Sequence, residues 1–246
     1  MRSSVQQNPS WRMAVSGNLV KEGYPLTSLW AFDFTGVNPE TGMPMYKLPT
    51  EEECPEAKED ASAYLKYVGT LEPDFSMGFS TSLRYKTISL GASFNLNTGG
   101  TRFLGTVFGE DMVNSLPSAY LNLPKEMVNR WKKPGDISDM PTIPYNSGAG
   151  VSVPFNGYSE PPHRLYNYAD IRAVDAWFLR CNNLSISYTL PEKFVKAIYL
   201  KNLSLSGNVS NPFRIVSKDF KGMDPEVATG SQPISRTYSL GLNISL

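Results

Sequence analysis

The sequence predicts an all-β protein built from long antiparallel strands. The first observation is a segment in which large residues occupy every second position, from Phe75 to Leu83 and again from Ile88 to Leu96. A period of two residues indicates strands, because successive side chains leave opposite faces of a pleated chain. The second observation is that short and long connections alternate between such strands, which bears on the environment of the sheet.

The two alternating runs predict one long hairpin with a two-residue turn at Tyr85–Lys86. With this turn Leu83 lies opposite Ile88, and each large residue faces another large residue. One face is then apolar, and the other carries Ser, Gly and Asn. Two environments explain such a hairpin. The apolar face is the core of a soluble β-sandwich, or it faces lipid in an outer-membrane barrel.

The same patterns predict the other elements in chain order. Residues 10–16 read as a strand with Trp11, Met13 and Val15 on one face, and residues 28–35 as a strand with Trp30, Phe32 and Phe34 on one face. About seven strands are predicted in all, at 10–16, 28–35, 75–83, 88–98, 178–190, 202–210 and 238–246. Helical segments are predicted within 50–64, at 123–131 and within 191–201.

Composition excludes several classes of protein. The 246 residues suffice for one large all-β domain or two small ones. Basic and acidic residues both number 23, so the net charge is zero and no nucleic-acid partner is predicted. No run of about 18 apolar residues predicts a transmembrane helix. Residues 1–9 lack the apolar core of a signal peptide, so we expect either a cytoplasmic chain or a piece of a longer protein.

Few residues suggest chemistry. Cys54 and Cys181 show no framework spacing for a disulfide, and with His163 as the single histidine no zinc site is predicted. No nucleophile–base pair and no carboxylate pair stands out, so the sequence predicts neither an enzyme nor a cofactor.

The long connections are the candidate functional segments. They span about 36–73, 98–171 and 211–234, and shorter connections alternate with them. Outer-membrane barrels have tight periplasmic turns and long extracellular loops, so this order favours a membrane barrel over a soluble β-sandwich binding module. A secreted glycan hydrolase is a third possibility, which requires a carboxylate pair in a cleft.

Aromatic and acidic residues in the loops are candidates for binding. Ligand or lid contact and packing of the loops on themselves are both open for Tyr120, Tyr145, Tyr158, Tyr166 and Tyr168. The acids Asp136, Asp139 and Asp170 are either calcium ligands or capping and solvated residues, and the second role is favoured.

Several motifs together resemble one known family. They are Arg130-Trp131 followed by Pro134-Gly135-Asp136, the segment 175–180 (Asp-Ala-Trp-Phe-Leu-Arg), the segment 222–226 (Gly-Met-Asp-Pro-Glu), the segment 236–243 and the turn-rich segment 36–44. In this order they resemble SusC/RagA-type TonB-dependent transporters. Singly each motif is weak, but together they cover nearly the whole chain.

The resemblance implies a 22-stranded barrel in the outer membrane, closed by an N-terminal plug. Residues 1–246 then correspond to the C-terminal portion of that barrel, without plug or signal peptide. The implied function is import of an oligosaccharide or peptide, with a SusD-type surface lipoprotein as lid and the TonB complex acting through the missing N-terminal part.

The resemblance also assigns a role to the last strand. In the family the barrel-assembly machinery recognises this strand, which here carries Tyr238, Leu240, Leu242, Ile244 and Leu246. Two departures are Leu246, where an aromatic residue is common, and Cys181, where an aliphatic one is usual.

Overall fold

The structure is a computed structural model that describes residues 10–113, 116–120, 122–144, 150–197, 199–227 and 231–245. It divides into two compact units. Unit 1 lies within residues 1–72 and 100–174, and unit 2 within residues 73–99 and 175–246. None of the helices in the described ranges is both long enough and apolar enough to cross a membrane.

The strands, in chain order, are β1 (Ser28–Ala31), β2 (Phe34–Val37), β3 (Pro44–Tyr46), β4 (Lys66–Thr70), β5 (Phe75–Tyr85), β6 (Ile88–Thr98), β7 (Thr101–Phe103), β8 (Val151–Ser152), β9 (Ser159–Glu160), β10 (Ala173–Asp175), β11 (Phe178–Thr189), β12 (Asn202–Val216) and β13 (Thr237–Ser245). The α-helices are α1 (Trp11–Val15), α2 (Pro162–Tyr166) and α3 (Glu192–Ala197). Short 3₁₀ helices span Pro55–Lys58, Ala61–Tyr64, Lys125–Asn129, Asp170–Arg172 and Lys218–Phe220.

Unit 2 is one open antiparallel meander. Its strand order is β5-β6-β11-β12-β13, so each strand pairs with the next one of the set along the chain. β6 and β11 are direct neighbours although more than seventy residues separate them. The expectation of about seven strands in one sheet is therefore wrong for the described residues, because the segments predicted at 10–16 and 28–35 lie in unit 1 and not in this sheet.

The central hairpin forms with a different turn from the predicted one. The turn residues are Lys86 and Thr87, so Tyr85 pairs with Ile88 and Leu83 pairs with Leu90. Lys86 takes up the left-handed backbone conformation that such a tight turn needs, with φ of 54°. Each partner is displaced by two residues from the predicted register. A shift of two preserves the faces, so apolar residues still oppose apolar ones.

Strand β12 is longer than predicted. It continues to Val216, whereas the alternation in the sequence ends at residue 210. A register irregularity between Cys181 and Asn183 on β11 faces Asn211 and Pro212 on β12, and Asn211 has a positive φ of 53°. This bulge interrupts the two-residue period, and the strand continues beyond it. The predicted loop 211–234 therefore begins too early.

Unit 1 begins with a helix where a strand was predicted. Ser10 caps α1, since its hydroxyl accepts a hydrogen bond from the backbone N of Arg12 at 3.1 Å. The buried residues of the helix are Trp11, Ala14 and Val15, which have the i, i+3, i+4 spacing of a helical face. The alternation of Trp11 and Val15 was compatible with both periods, and the cap decides in favour of the helix.

Two clusters of buried side chains hold unit 1 together. The first contains, among others, Trp11, Trp30, Phe32, Tyr64 and Leu165. The second contains, among others, Val107, Phe108, Met127, Met140 and Tyr166. The strand predicted at 28–35 is split into β1 and β2, and all four residues of β1 are buried, so no single face faces the core.

The predicted helical segments of the loops are mostly tighter helices. Residues 50–64 contain two 3₁₀ helices, and the helix predicted at 123–131 is the 3₁₀ helix Lys125–Asn129, for which Pro124 is the N-terminal cap residue. Segment 191–201 contains α3, as predicted. Unit 1 therefore has its own core and its own small two-stranded sheets. The long connections predicted from the sequence are thus folded segments and not irregular loops.

Candidate functional site

The central strand of the unit 2 sheet, β11, has an inverted pattern of exposure. Along β11 the apolar Leu184, Ile186 and Tyr188 are exposed, and Ile186 keeps 50% of its surface accessible. The polar Ser185 and Ser187 between them are half-buried. A water-soluble sheet shows the opposite arrangement, with apolar residues covered. On β5 and β13 the residues of both faces are exposed, so the apolar face of this sheet is left uncovered.

Aromatic side chains continue across the apolar face. Phe79 pairs with Phe94, and Phe94 pairs with Cys181, which in turn pairs with Phe213. The rings of Phe79 and Phe94 stack at 4.8 Å, and the centroids of Phe94 and Phe213 are 6.4 Å apart. Cys181 is fully buried in this row. Its small side chain leaves room for the two phenylalanine rings to approach each other, where a larger aliphatic side chain would stand between them.

The last strand extends the apolar face to the edge of the sheet. Tyr238, Leu240, Leu242 and Ile244 are all exposed, and the register pairs Leu242 with Leu205 of β12. Leu246 lies outside the described residues. The alternation predicted for this strand is confirmed for residues 238–244, while its part in barrel assembly stays a prediction.

The polar face carries a buried ionic cluster at the Phe178 end of β11. The register places Arg180 directly opposite Arg214, and two like charges in this position repel. Asp224 offsets the repulsion: its two carboxylate oxygens lie 2.6 and 2.7 Å from Nη2 of Arg180, and one lies 3.7 Å from Nη1 of Arg214. Glu226 accepts a further hydrogen bond from Nε of Arg180.

The acids of this cluster come from the segment that follows β12. The 3₁₀ helix Lys218–Phe220 turns the chain back, with Lys221 and Gly222 in the left-handed region. The backbone N of Glu226 donates to Asp224 Oδ1 at 3.1 Å, which fixes the two acids relative to each other. The arrangement holds fixed charges in place and contains no nucleophile or proton shuttle.

In unit 1 the Trp131 motif packs on the turn-rich segment 36–44. The indole Nε1 of Trp131 and the backbone N of Gly135 both donate to the carbonyl oxygen of Pro39, at 3.1 and 3.0 Å. Gly42 allows the indole to approach, because a Cβ at this position would lie 2.3 Å from the Trp131 ring. We call residues 36–44 and 130–136, held in this way, the clasp.

The other motif residues shape the turn of the clasp. The carboxylate of Asp136 accepts hydrogen bonds from the backbone N of Lys132 and Lys133, at 3.0 and 3.1 Å. Pro134 is exposed, and the side chain of Arg130 donates to the carbonyl of Met127. The contacts of Trp131 and Asp136 shape the turn and hold it against Pro39. They indicate a structural role for Trp131.

The candidate loop tyrosines divide into exposed and packed residues. Tyr120 is 98% exposed, and the exposed Tyr158 accepts a hydrogen bond from Arg12 at 2.9 Å. Tyr166 is only 3% exposed and its hydroxyl donates to the carbonyl of Asp139. Tyr145 lies outside the described residues.

Tyr168 is half-buried, with its ring 5.6 Å from the rings of both Trp11 and Phe103. Burial of Tyr166 and the aromatic packing of Tyr168 favour the packing role that the sequence left open. Contact with a ligand or lid stays a prediction, and Tyr120 and Tyr158 offer the most accessible surface for it.

The three candidate calcium ligands have other partners or stand apart. Asp136 caps the turn described above. Asp170 accepts from the backbone N of Phe34 and Ile171 and pairs with Lys66 at 2.7 Å. Asp139 is exposed. Within the described ranges, no group of three or more His, Cys, Asp or Glu side chains has the arrangement of a metal site.

Unit 1 also buries charges that the sequence analysis did not single out. Glu160 is completely buried and pairs with Arg12 and Arg164, at 2.8 and 2.7 Å. Burial alone raises the pKa of Glu160, but the hydrogen bond from Arg164 and the charge of Arg12 outweigh it and lower the pKa below its usual value. Close by in sequence, burial lowers the pKa of His163 to about 4.

Comparisons with known proteins show which proteins this chain resembles in sequence and in fold. No family model matches the chain. The chain is 28% identical over 202 residues to the TonB-dependent receptor P3 of Formosa agariphila, a match that covers 76% of this chain and 18% of the receptor.

Solved structures with the same fold include the RagAB peptide transporter, with a TM-score of 0.64 and 21% identity over 94% of this chain and 24% of that one. The RagAB peptide importer in its closed-closed state gives a TM-score of 0.61 and 22% identity, with the same coverage. The predicted resemblance to SusC/RagA-type TonB-dependent transporters is confirmed. The chain spans about a fifth to a quarter of the length of these relatives: 18% of the receptor and 24% of each RagAB chain.

The structure joins SusC/RagA-type motifs that the sequence shows only as separate segments. Arg180 ends one motif and Asp224 and Glu226 belong to another, yet the three side chains form one cluster. Likewise the two halves of the clasp are distant in sequence. The one sequence signal that could have suggested the cluster is an arginine on the polar face of a strand otherwise lined by Ser and Asn, since such a charge requires a partner.

Proposed function

We propose that this chain forms part of the wall of a TonB-dependent outer-membrane importer, with the apolar face of the β5-β6-β11-β12-β13 sheet against lipid and the polar face lining the lumen. The observation that carries the proposal is the exposure of apolar Leu184, Ile186 and Tyr188 beside half-buried serines on β11. An exposed apolar patch of this extent marks contact with a membrane or a partner.

Energetics support lipid contact over exposure to water. Full burial of a Leu, Ile or Phe side chain stabilises by about 1.5–3 kcal/mol relative to exposure, and this face leaves many such residues open. They are Phe75, Met77, Phe79, Leu83, Leu90, Leu184, Ile186, Leu205, Phe213, Leu240, Leu242 and Ile244. A bilayer covers all of them at once, whereas other sheets in the described ranges are two-stranded and too small to do so.

The proposal extends to the complete transporter. The relatives bear the names of a TonB-dependent receptor and a peptide importer, not of enzymes, and this supports energised uptake of a peptide or oligosaccharide. A SusD-type surface lipoprotein is the proposed lid, and the TonB complex the proposed source of energy. Residues 1–246 are the proposed C-terminal portion of the barrel, with the segments 36–73, 99–171 and 217–236 outside the cell.

The exposed strand β13 supports a part in assembly. In the proposed transporter its alternating apolar residues are read by the barrel-assembly machinery, and its free edge pairs with a further strand. An edge left unpaired in lipid leaves backbone groups without hydrogen bonds, so the complete wall requires additional strands.

Spin labelling tests the orientation of the faces. The full chain is prepared in detergent micelles with Cys54→Ser and Cys181→Ala, and a single label is placed at Ile186 or at Ser187. We expect collisions with oxygen to dominate at position 186 and collisions with a water-soluble nickel complex at position 187. Equal accessibility, or a chain that stays monomeric and folded without detergent, contradicts the proposal and favours a soluble β-sandwich binding module.

A further inference from the structure

A cleft lies beside the end of strand β12. The first residue of β13, Thr237, pairs with Ser210, so residues 211–216 of β12 extend beyond their pairing with β13. The cleft beside them has a volume of about 260 Å³. The residues of its lining that matter here are Arg180, Asn211, Phe213, Arg214, Ile234 and Arg236.

The charges around this cleft do not balance. Arg180 is fully used by Asp224 and Glu226. Arg214 is partly exposed: its Nη1 lies 3.7 Å from Asp224 Oδ2, and its Nη2 donates to the carbonyl of Gly222 at 3.3 Å. Arg236 is exposed and has no ion pair within the described part of the chain. The lining of the cleft thus carries three guanidinium groups and no carboxylate, and the nearby Asp224 and Glu226 are hydrogen-bonded to Arg180.

We propose that the cleft binds a carboxylate group of the transported substrate, with Arg214 and Arg236 as hydrogen-bond donors. A guanidinium presents parallel N–H donors that match the two oxygens of a carboxylate. Ile234 supplies apolar surface for the part of the ligand next to its charged group. The role in transport rests on the proposed function, whereas carboxylate binding by the cleft does not.

Electrostatics favour a carboxylate over a phosphate. A single negative charge neutralises the excess of the cluster. A doubly charged phosphate brings a second negative charge close to Asp224 and Glu226, which disfavours it. The carboxylate can belong to the C-terminus of a peptide or to an acidic sugar, and the cleft chemistry is the same for both.

Calorimetric titration of the full chain in detergent micelles tests the proposal. The probes are N-acetyl-Ala-Phe with a free carboxylate, its C-terminal carboxamide, glucuronate and inorganic phosphate. We expect the free acid to bind at least tenfold more tightly than the carboxamide, and tighter than phosphate. Stronger binding of the dipeptide acid identifies a peptide as the source of the carboxylate, and stronger binding of glucuronate identifies an acidic sugar.

Variants locate the binding in the cleft. Arg236→Gln should weaken binding of the free acid at least tenfold, and Arg214→Lys, which keeps the charge but removes the planar fork, should weaken it severalfold. Arg84→Gln, which removes an exposed arginine at the end of β5 outside the lining of this cleft, should leave binding unchanged.

Equal affinities for acid and carboxamide, preference for phosphate, or equal effects of Arg236→Gln and Arg84→Gln overturn the proposal. Since the binding assay does not depend on which face meets lipid, its failure leaves the spin-label result intact. Failure of the spin-label experiment likewise leaves the titration interpretable.

Discussion

Nη2 of Arg180 lies 2.6 and 2.7 Å from the two carboxylate oxygens of Asp224, although the two residues are 44 positions apart in the sequence. Both side chains are buried, and the pair faces a second arginine across the strand. The ion pair therefore fixes the segment after β12 to the polar face of the sheet.

Arg180→Gln should destabilise the chain by about 3–5 kcal/mol, because it leaves the buried carboxylate of Asp224 without its main partner. The matched control is Lys196→Gln, which removes the exposed pair of Lys196 with Glu192 and should leave stability close to that of the wild type, because solvent screens such a pair. Urea unfolding in detergent micelles measures both. Equal midpoints for the two variants would show that the buried pair adds nothing to stability.

Gly42→Ala should open the clasp, because the new Cβ would lie 2.3 Å from the Trp131 ring. The control is Gly23→Ala, at a residue with a similar positive φ and no heavy atom within 4 Å of the added carbon. Both changes carry a backbone cost of about 1–2 kcal/mol. Only Gly42→Ala adds the cost of overpacking, about 1–3 kcal/mol. Tryptophan fluorescence during thermal unfolding distinguishes them, and similar melting temperatures would contradict the packing described.

Ile186→Arg should destabilise the sheet in a membrane environment by about 2–4 kcal/mol if the residue lies near the bilayer midplane. Ser187→Arg, one residue further along the same strand, should be tolerated, because in the proposed orientation this residue lies on the face away from lipid. Urea midpoints in micelles provide the comparison. A larger loss for the serine variant would mean that the two faces have been assigned the wrong way round.

Stability of unit 1 should fall between pH 6.5 and about pH 4 through His163. Its folded-state pKa is lowered to about 4 by burial, below the unfolded value of about 6.5. In this window the unfolded chain binds the proton and the folded chain does not, so acidification favours unfolding, by up to about 3 kcal/mol. His163→Phe should lose this pH dependence, because phenylalanine does not titrate. The variant should still fold, because a phenylalanine also packs against Phe108. A wild type and variant with parallel pH profiles would exclude His163 as the cause.

The hairpin shows what periodicity alone can predict. The alternation from Phe75 to Thr98 fixed which residues share a face, and this survives in the structure. The register did not follow, because Lys86 accepts a positive φ and moves the turn by one residue. A turn between Tyr85 and Ile88 contains no glycine or asparagine to mark its position, so the sequence offered no local signal for it.

Other differences also have local physical causes. A seven-residue window around Trp11 and Val15 fits both a two-residue and a helical period, and the Ser10 cap together with burial of Trp11, Ala14 and Val15 selects the helix. The extension of β12 passes through a bulge at Asn211 and Pro212 that breaks the alternation. The cluster at Arg180 depends on a chain reversal between residues 217 and 224. An arginine on a polar strand face signals that a partner is needed, but no periodic pattern in the sequence identifies Asp224 and Glu226 as that partner.

The chain leaves the meander after Thr98 and returns at Phe178, which pairs with Asn97. Departure and return thus occupy adjacent positions, and the long insertion between them changes neither the order nor the stagger of the strands. Such a segment behaves as a cassette. Evolution can lengthen, shorten or replace it while the pairing of the strands on either side stays the same.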